Sequence, residues 1–280
     1  MGKFDNIIIV SDIDGTFLGK NSRMVPENLE AIEYFKSEGG LFTIATGREI
    51  MNIPSVVPNI STLCNAPVIA VNGACIWDAA ADRILHEEFL PEPEVSRIAD
   101  AARSLCSEIP IRISVRGEFL TERLGEMTKK TFHNMLPYFR VMPYGETAHG
   151  NWYKLGWDGT PDELSHVRSI LEKALGEGCI LQLGHATILE VQSRRATKGA
   201  MLQKLKALTG RENATLWAIG DYENDEIMLR MADRCAMPAD GMDKLRHIPG
   251  MITVCNHDDG AIAGLIDYID RNLTERKEEE

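Results

Sequence analysis

"IIIVSDIDGTFL", residues 7–18, runs four β-branched apolar residues almost directly into two aspartates one residue apart. A short unbroken apolar run fits a strand buried on both faces of a parallel sheet. This one ends on Asp12 and Asp14, whose carboxylates repel each other and resist leaving water. A strand that ends this way calls for positive charge beside it.

Similar strand ends recur along the chain. "VPENLEAIEYFKSEGG" predicts a helix with Pro26 and Glu27 in its first turn, Leu29, Ile32 and Phe35 on one face, and Gly39-Gly40 as its stop. "GLFTIATG" reads as a second strand ending at Thr46-Gly47, and "APVIAVNGA" as a third ending at Asn72-Gly73. Strand, helix, strand in this rhythm predicts βαβ units and a parallel sheet.

After residue 79 the pattern changes. "PIRISVRGEF" alternates Ile111, Ile113 and Val115 with Arg112, Ser114 and Arg116, which predicts an antiparallel strand with one wet face. "EPEVSRIADAARSLCSE" and "TPDELSHVRSILEKALGEG" carry amphipathic helical stripes, and "NWYKLGWDG", "CILQLG" and "TILEVQ" read as further strands. The βα style then resumes with a helix opened by Lys198, a strand–turn–helix in "ATLWAIGDYENDEIMLRMAD", a last strand in "GMITVCN" and a closing helix. The expected architecture is therefore α/β: a Rossmann-like parallel sheet core, residues 1–79 and 190–280, interrupted by an inserted α+β unit, residues 80–189.

The 280 residues carry 42 acidic and 30 basic side chains, a net charge of −12, which disfavours nonspecific attraction to nucleic acid or anionic membranes. No apolar run approaches the ~20 residues needed to cross a bilayer. The six cysteines are scattered without a C-x-x-C pair, as expected of reduced core thiols in a cytoplasmic protein. No nucleic-acid or membrane partner is expected.

Asp12, Thr46, Asn72 and Asp221 each fall at or just past the C-terminal end of a predicted parallel strand, the edge where open α/β sheets bind ligands. "GDYEND" adds Asn224 and Asp225 in a strand-to-helix turn. A hard divalent cation with oxygen ligands, Mg²⁺ above all, would let Asp12 and Asp221 sit close together. Turns after Asp12 and Thr46, eased by Gly15 and Gly47, offer backbone amides to an anion, and Lys198 adds a mobile positive charge. Such a set suits phosphoryl oxygens during transfer.

"DIDGTFL", "TIATGR", "ATKGAML" and "IGDYENDEIML" resemble, in order, motifs I to IV of the haloacid dehalogenase superfamily. "NGA" after the third strand and "CNHDDGAIAGLI" near the end resemble its Cof-type branch, subclass IIB, with a large C2 cap. The resemblance implies a Mg²⁺-dependent phosphatase acting on small phosphorylated metabolites such as sugar phosphates. Asp12 would be the nucleophile that becomes an aspartyl-phosphate, and Asp14 the general acid and base. Thr46 and the amides around Gly47 would hold phosphoryl oxygens, and Lys198 would offset their charge. Asp12, the backbone carbonyl of Asp14, and Asp221 would bind Mg²⁺. Asn224 would reach the phosphoryl group, and Asp225 would orient Lys198 or metal-bound water. An acid at position 14 fits phosphate esters better than carbon–halogen cleavage, because a leaving halide needs no proton.

One departure stands out. Cof-type chains carry Met-Gly-Asn-Ala after motif IV, whereas this chain has Met237, Pro238, Ala239 and Asp240, which questions the support of motif IV. His149 and His185 are candidates for substrate contact from the cap. Trp152, Tyr153 and Trp157 read either as a sugar-stacking wall or as a half-buried strand. Arg48 fits the crevice mouth or a surface ion pair, and Glu190, at the return from cap to core, fits a substrate contact or, better, a hinge cap. Two other readings of the same motifs stay open: a sugar phosphomutase using the same intermediate, and a non-catalytic sensor of phosphometabolites.

Overall fold

A computed structural model describes residues 2–105, 107–147 and 151–279. Its centre is a five-stranded parallel sheet in the order Met251–Thr253, Arg234–Met237, Thr215–Ile219, Ile7–Ser11, Leu41–Ile44. All five residues of Ile7–Ser11 are buried. Ile7 and Ile9 join one apolar cluster with Phe35, Trp217 and Leu265, while Ile8 and Val10 join a second with Leu205, Leu216 and Met228. Burial on both faces explains why the run is apolar throughout and not alternating.

The Pro26–Ser37 helix packs on the closing helix Ala261–Glu279, with Ile32 and Phe35 turned inward. A parallel bridge from Ala45 to Ile69 brings Val68–Ala70 alongside the sheet. Two antiparallel strands extend from it, Cys75–Asp78 and Arg83–Glu87, the latter lying beyond the change of pattern read at residue 79. The strand Arg234–Met237, not assigned in the sequence, completes the parallel set between Thr215–Ile219 and Met251–Thr253.

Among the described residues, the inserted unit is a six-stranded sheet with three α-helices, Glu92–Leu105, Glu126–Thr131 and Pro161–Ala174, the last opened by a capping box between Thr160 and Glu163. Its strand Lys154–Asp158 lies between Arg112–Val115 and Ile188–Ser193, antiparallel to both. Leu155 and Trp157 face an apolar core with Ile113, Leu189, Val191 and the helix residues Ile98 and Leu171. The opposite face departs from expectation. Arg112 and Ser114 are buried and not wet: the Ser114 hydroxyl meets Glu49 of the parallel-sheet unit, while Arg112 pairs with Asp158 and lies against the Phe132 ring within the inserted unit. Register puts Arg112 and Glu190 both opposite Gly156, with Lys154 and Asp158 two residues to either side. One face of the sheet thus holds buried charges while the other holds the core.

Trp152, Tyr153 and Trp157 are all buried in apolar clusters, so the strand reading accounts for them and the stacking wall does not. Cys64, Cys75, Cys179, Cys235 and Cys255 are free thiols, and Cys106 lies outside the described residues.

Candidate active site

Asp12 follows the last residue of the central strand, and its backbone N–H continues the ladder by donating to the carbonyl of Ile219 (2.9 Å). Its carboxylate meets the Lys198 ammonium, Nζ to Oδ1 at 2.5 Å, and the same Nζ reaches Oδ1 of Asp225 at 2.7 Å. Lys198 is buried and pinned, which corrects the expectation of a mobile cation. It also lies in a turn, with the helix proper starting at Leu202, because the hydroxyl and carbonyl of Thr197 capture the amides of Ala200 and Met201.

Asp225 uses its other oxygen, Oδ2, to accept the backbone amides of Asp221 (3.0 Å) and Tyr222 (3.1 Å). It therefore fixes both the lysine and the turn that carries Asp221. Thr16 donates its hydroxyl to Asp221 Oδ1 at 2.9 Å. Gly15 sits at φ +80°, and a Cβ there would lie 2.5 Å from Asp221 Oδ2, so the glycine lets this carboxylate approach the Asp12 turn. Support for the motif IV turn also comes from Met242, whose N–H donates to the Asp221 carbonyl at 2.8 Å. The Pro238-Ala239 departure leaves that contact in place.

Oxygens of Asp12, Asp221 and Asp225 lie within 4.8 Å of one another. Three carboxylates around one ammonium leave an excess of negative charge in a buried place. Burial pushes the Asp12 carboxyl well above its ordinary range; Lys198 opposes this and the charges of Asp225, Asp221 and Asp14 add to it. Burial and then Asp225 push Asp221 up to about 7. Lys198 is also pushed up, and so kept charged: burial works against it, but the charges and hydrogen bonds of Asp12 and Asp225 outweigh that. Lys198 occupies Asp12 Oδ1 and Thr16 occupies Asp221 Oδ1, leaving the second oxygen of each, among the described residues, open to a cation. An all-oxygen, electron-rich set of this kind fits Mg²⁺.

Asp12, Asp14, Thr46, Gly47, Asp221 and Asn224 line one cavity of about 1260 Å³ between the two units. Thr46 accepts the Arg48 amide on its hydroxyl oxygen (3.1 Å), leaving the hydroxyl proton for another acceptor. Asn224 donates to Asn72 Oδ1 (3.2 Å), and Asn72 donates onward to Glu190 Oε2 (2.8 Å). Asp14 is half exposed and turned to Arg48, which also lines the cavity, so both readings of Arg48 hold at once.

Glu190 is buried among Arg112, Lys154 and Asn72 and lines the cavity. His185 reaches the cavity wall and stacks toward Tyr222 at 6.5 Å, while His149 lies outside the described residues. Sequence reading missed Lys154, Glu49 and Glu223. Glu223 accepts Arg168 (2.8 Å) and the Leu183 amide (3.0 Å) from the inserted unit. The available signal for Lys154 was alternation in "NWYKLGWDG", which sets it apart from Tyr153 and Leu155.

Residues 9–266 match the family model described as haloacid dehalogenase-like hydrolase. The chain belongs to this family. Its relatives include a Bacillus subtilis protein named 5-amino-6-(5-phospho-D-ribitylamino)uracil phosphatase YwtE, 27% identical and covering 93% of this chain and 97% of its own. An HMP-PP phosphatase of Klebsiella pneumoniae is 26% identical, over 88% of this chain and 90% of its own. Among solved structures, a haloacid dehalogenase-like hydrolase from B. subtilis superposes with a TM-score of 0.79 at 19% identity, covering 94% and 99% of the two chains. A subclass IIB sugar phosphatase of the superfamily gives 0.77 at 19% identity, over 94% and 98%. The fold is thus the haloacid dehalogenase one, a Rossmann-type core with an inserted cap, and curated relatives of this hydrolase are named phosphatases acting on small phosphorylated metabolites.

Among the described residues, no helix of this hydrolase is long and apolar enough to cross a membrane.

Proposed function

We propose that this hydrolase is a Mg²⁺-dependent phosphatase of small phosphate monoesters, sugar phosphates foremost, working in the cytoplasm through an aspartyl-phosphate on Asp12. The observation that carries the reading is the meeting of Asp12, Asp221 and the Lys198–Asp225 pair at one end of a cavity that Thr46, Gly47 and Asn224 also line.

Asp12 attacks phosphorus through its free oxygen, and the ester P–O bond breaks. Asp14, as the acid, gives its proton to the leaving oxygen; as the carboxylate, it then takes a proton from the water that attacks phosphorus. That second attack frees Asp12 and inorganic phosphate. Lys198 holds Asp12 in place and offsets the negative charge gathered there. Thr46, the Gly47 amide and Asn224 bind the phosphoryl oxygens. Asp12 and Asp221, with the backbone carbonyl of Asp14, would hold Mg²⁺, which when bound neutralises carboxylate repulsion and draws charge from the phosphoryl group. The cap, residues 80–189 in the division read from the sequence, covers the cavity and restricts it to small substrates.

A panel of phosphorylated metabolites with Mg²⁺ tests the reading. Phosphate release that disappears with EDTA and with Asp12→Asn is expected. Isomer formation without net phosphate release would instead establish a mutase, and binding without turnover a sensor.

A further inference from the structure

The buried charged face of the cap sheet meets the catalytic core at one point. Lys154 Nζ donates to the backbone carbonyl of Gly47 at 2.7 Å, across 107 residues of chain. The same ammonium lies 2.8 Å from Glu190 Oε1 and 3.3 Å from Glu49 Oε1, and the residue is only 2% exposed. The Gly47 carbonyl takes a hydrogen bond from this ammonium, and the two carboxylates hold it as an ion-pair cluster at the cavity wall. Glu190 is held in turn by Asn72 and Arg112, Glu49 by the Ser114 hydroxyl (2.9 Å). Gly156 makes room for this arrangement, since a Cβ there would meet Arg112 Nη2 at 2.5 Å.

The backbone of Gly47 is therefore fixed from the cap and not only by its own strand. A carbonyl held in place also fixes the Arg48 N–H that shares its rigid peptide plane, and so anchors the Gly47–Arg48 step of the turn, where that N–H donates to the Thr46 hydroxyl oxygen. The chain Lys154–Glu190–Asn72–Asn224 reaches a second residue of the cavity wall by the same route.

Resting on the phosphoryl-binding role proposed above for the Gly47 turn, we infer that Lys154 is a positioning residue, through which the seated cap sets the geometry of the phosphoryl-binding backbone. A cap that is not seated leaves Gly47 without this restraint, so binding and cap position are coupled through one ammonium. Misplacement of a binding group by about 1 Å can cost 100-fold in rate, which sets the size of effect at stake.

The test compares wild type, Lys154→Met, Lys154→Arg and the double variant Lys154→Met/Glu49→Gln, in full-length protein, since Glu190 keeps Arg112 while Glu49 loses its ion-pair partner. Two readouts are taken: kcat and KM on a phosphate monoester, and the affinity for orthovanadate with Mg²⁺ by calorimetry, which needs no turnover. Lys154→Met is expected to weaken vanadate binding and lower kcat/KM by about 10- to 100-fold, with Lys154→Arg recovering part of both. The double variant removes the unpaired buried charge, so it keeps the fold where the single one fails, and it is expected to stay weak in both readouts. Wild-type vanadate affinity in the folded double variant would overturn the inference, leaving Lys154 as charge balance alone. If wild type binds vanadate in a Lys154-dependent way but releases no phosphate from any ester, the phosphatase reading falls and this one stands. If wild type turns over and Lys154→Met matches it, this one falls alone. Failure of wild type to bind vanadate at all overturns both.

Discussion

Arg48 holds Asp14 with a two-pronged ion pair: Nε donates to Oδ2 and Nη2 to Oδ1, each at 2.7 Å. Such a pair fixes the carboxylate plane as well as its charge. Asp14 is thus paired with Arg48 whereas Asp12 is paired with Lys198, and the acid role proposed for Asp14 requires the Arg48 pair to yield to a leaving oxygen. Asp14→Asn is expected to lower kcat by about 10²- to 10⁴-fold on an alkyl phosphate. The loss should be far smaller on p-nitrophenyl phosphate, whose leaving group needs little proton donation. Parallel loss on both esters would remove Asp14 from the acid's role.

Lys198 separates Asp12 from Asp225, with all three groups buried. Lys198→Met leaves two carboxylates without their cation. Breaking a buried pair by removing one partner costs about 3–5 kcal/mol. Urea unfolding in EDTA should show a loss of that size. Stability equal to wild type would mean that the carboxylates are not charged together.

The metal-free site carries a pH signature of fixed sign. Asp12 and Asp221 both titrate above their ordinary value of 3.8 in the folded chain, Asp221 at about 7. The folded state thus binds protons that the unfolded state releases. Their contribution to stability is complete below pH 3.8 and is lost as pH rises toward and through 7. Melting in EDTA, scanned from pH 6 to pH 8, is expected to show the apo protein losing ground relative to the Mg²⁺-bound one. An upward shift in Tm with Mg²⁺ that is larger at pH 8 than at pH 6 is the measurable outcome, and equal shifts would refute it.

Gly15→Ala probes the cradle beside Asp221. The new Cβ must take φ +80° and sit 2.5 Å from the Asp221 carboxylate. Left-handed backbone alone costs an alanine about 1 kcal/mol. The displaced carboxylate is expected to weaken Mg²⁺ activation by about 10-fold or more, the equivalent of ~1.4 kcal/mol, read as a shift of the Mg²⁺ concentration giving half-maximal phosphate release. An unmoved midpoint would place the cation away from Asp221.

The strand ends were legible because burial on both faces leaves a simple trace. Ile7–Ser11 is apolar throughout, and the first residue after it, Asp12, has to be at an edge of the sheet. The same logic places Thr46 and Asp221, and four motifs in order then name the family. The cap strand at residues 112–115 shows where that logic stops. Alternation correctly separates Arg112 and Ser114 from Ile113, but it carries no information on whether the polar face meets water or another part of the chain. Here Ser114 meets the core, Arg112 is covered from within the cap, and both are buried.

Local pattern by itself determined most of the elements, which side chains share a face, and which aspartates and threonine end up at strand termini. Tertiary structure alone decided the partners: Lys198 between Asp12 and Asp225, Arg48 on Asp14, and Lys154 on the Gly47 carbonyl. The physical reason is that a buried charge is tolerable only with its counter-charge, and that counter-charge comes from segments up to 186 residues away. Periodicity reads neighbours along the chain, while pairing depends on which faces the packed units turn toward each other.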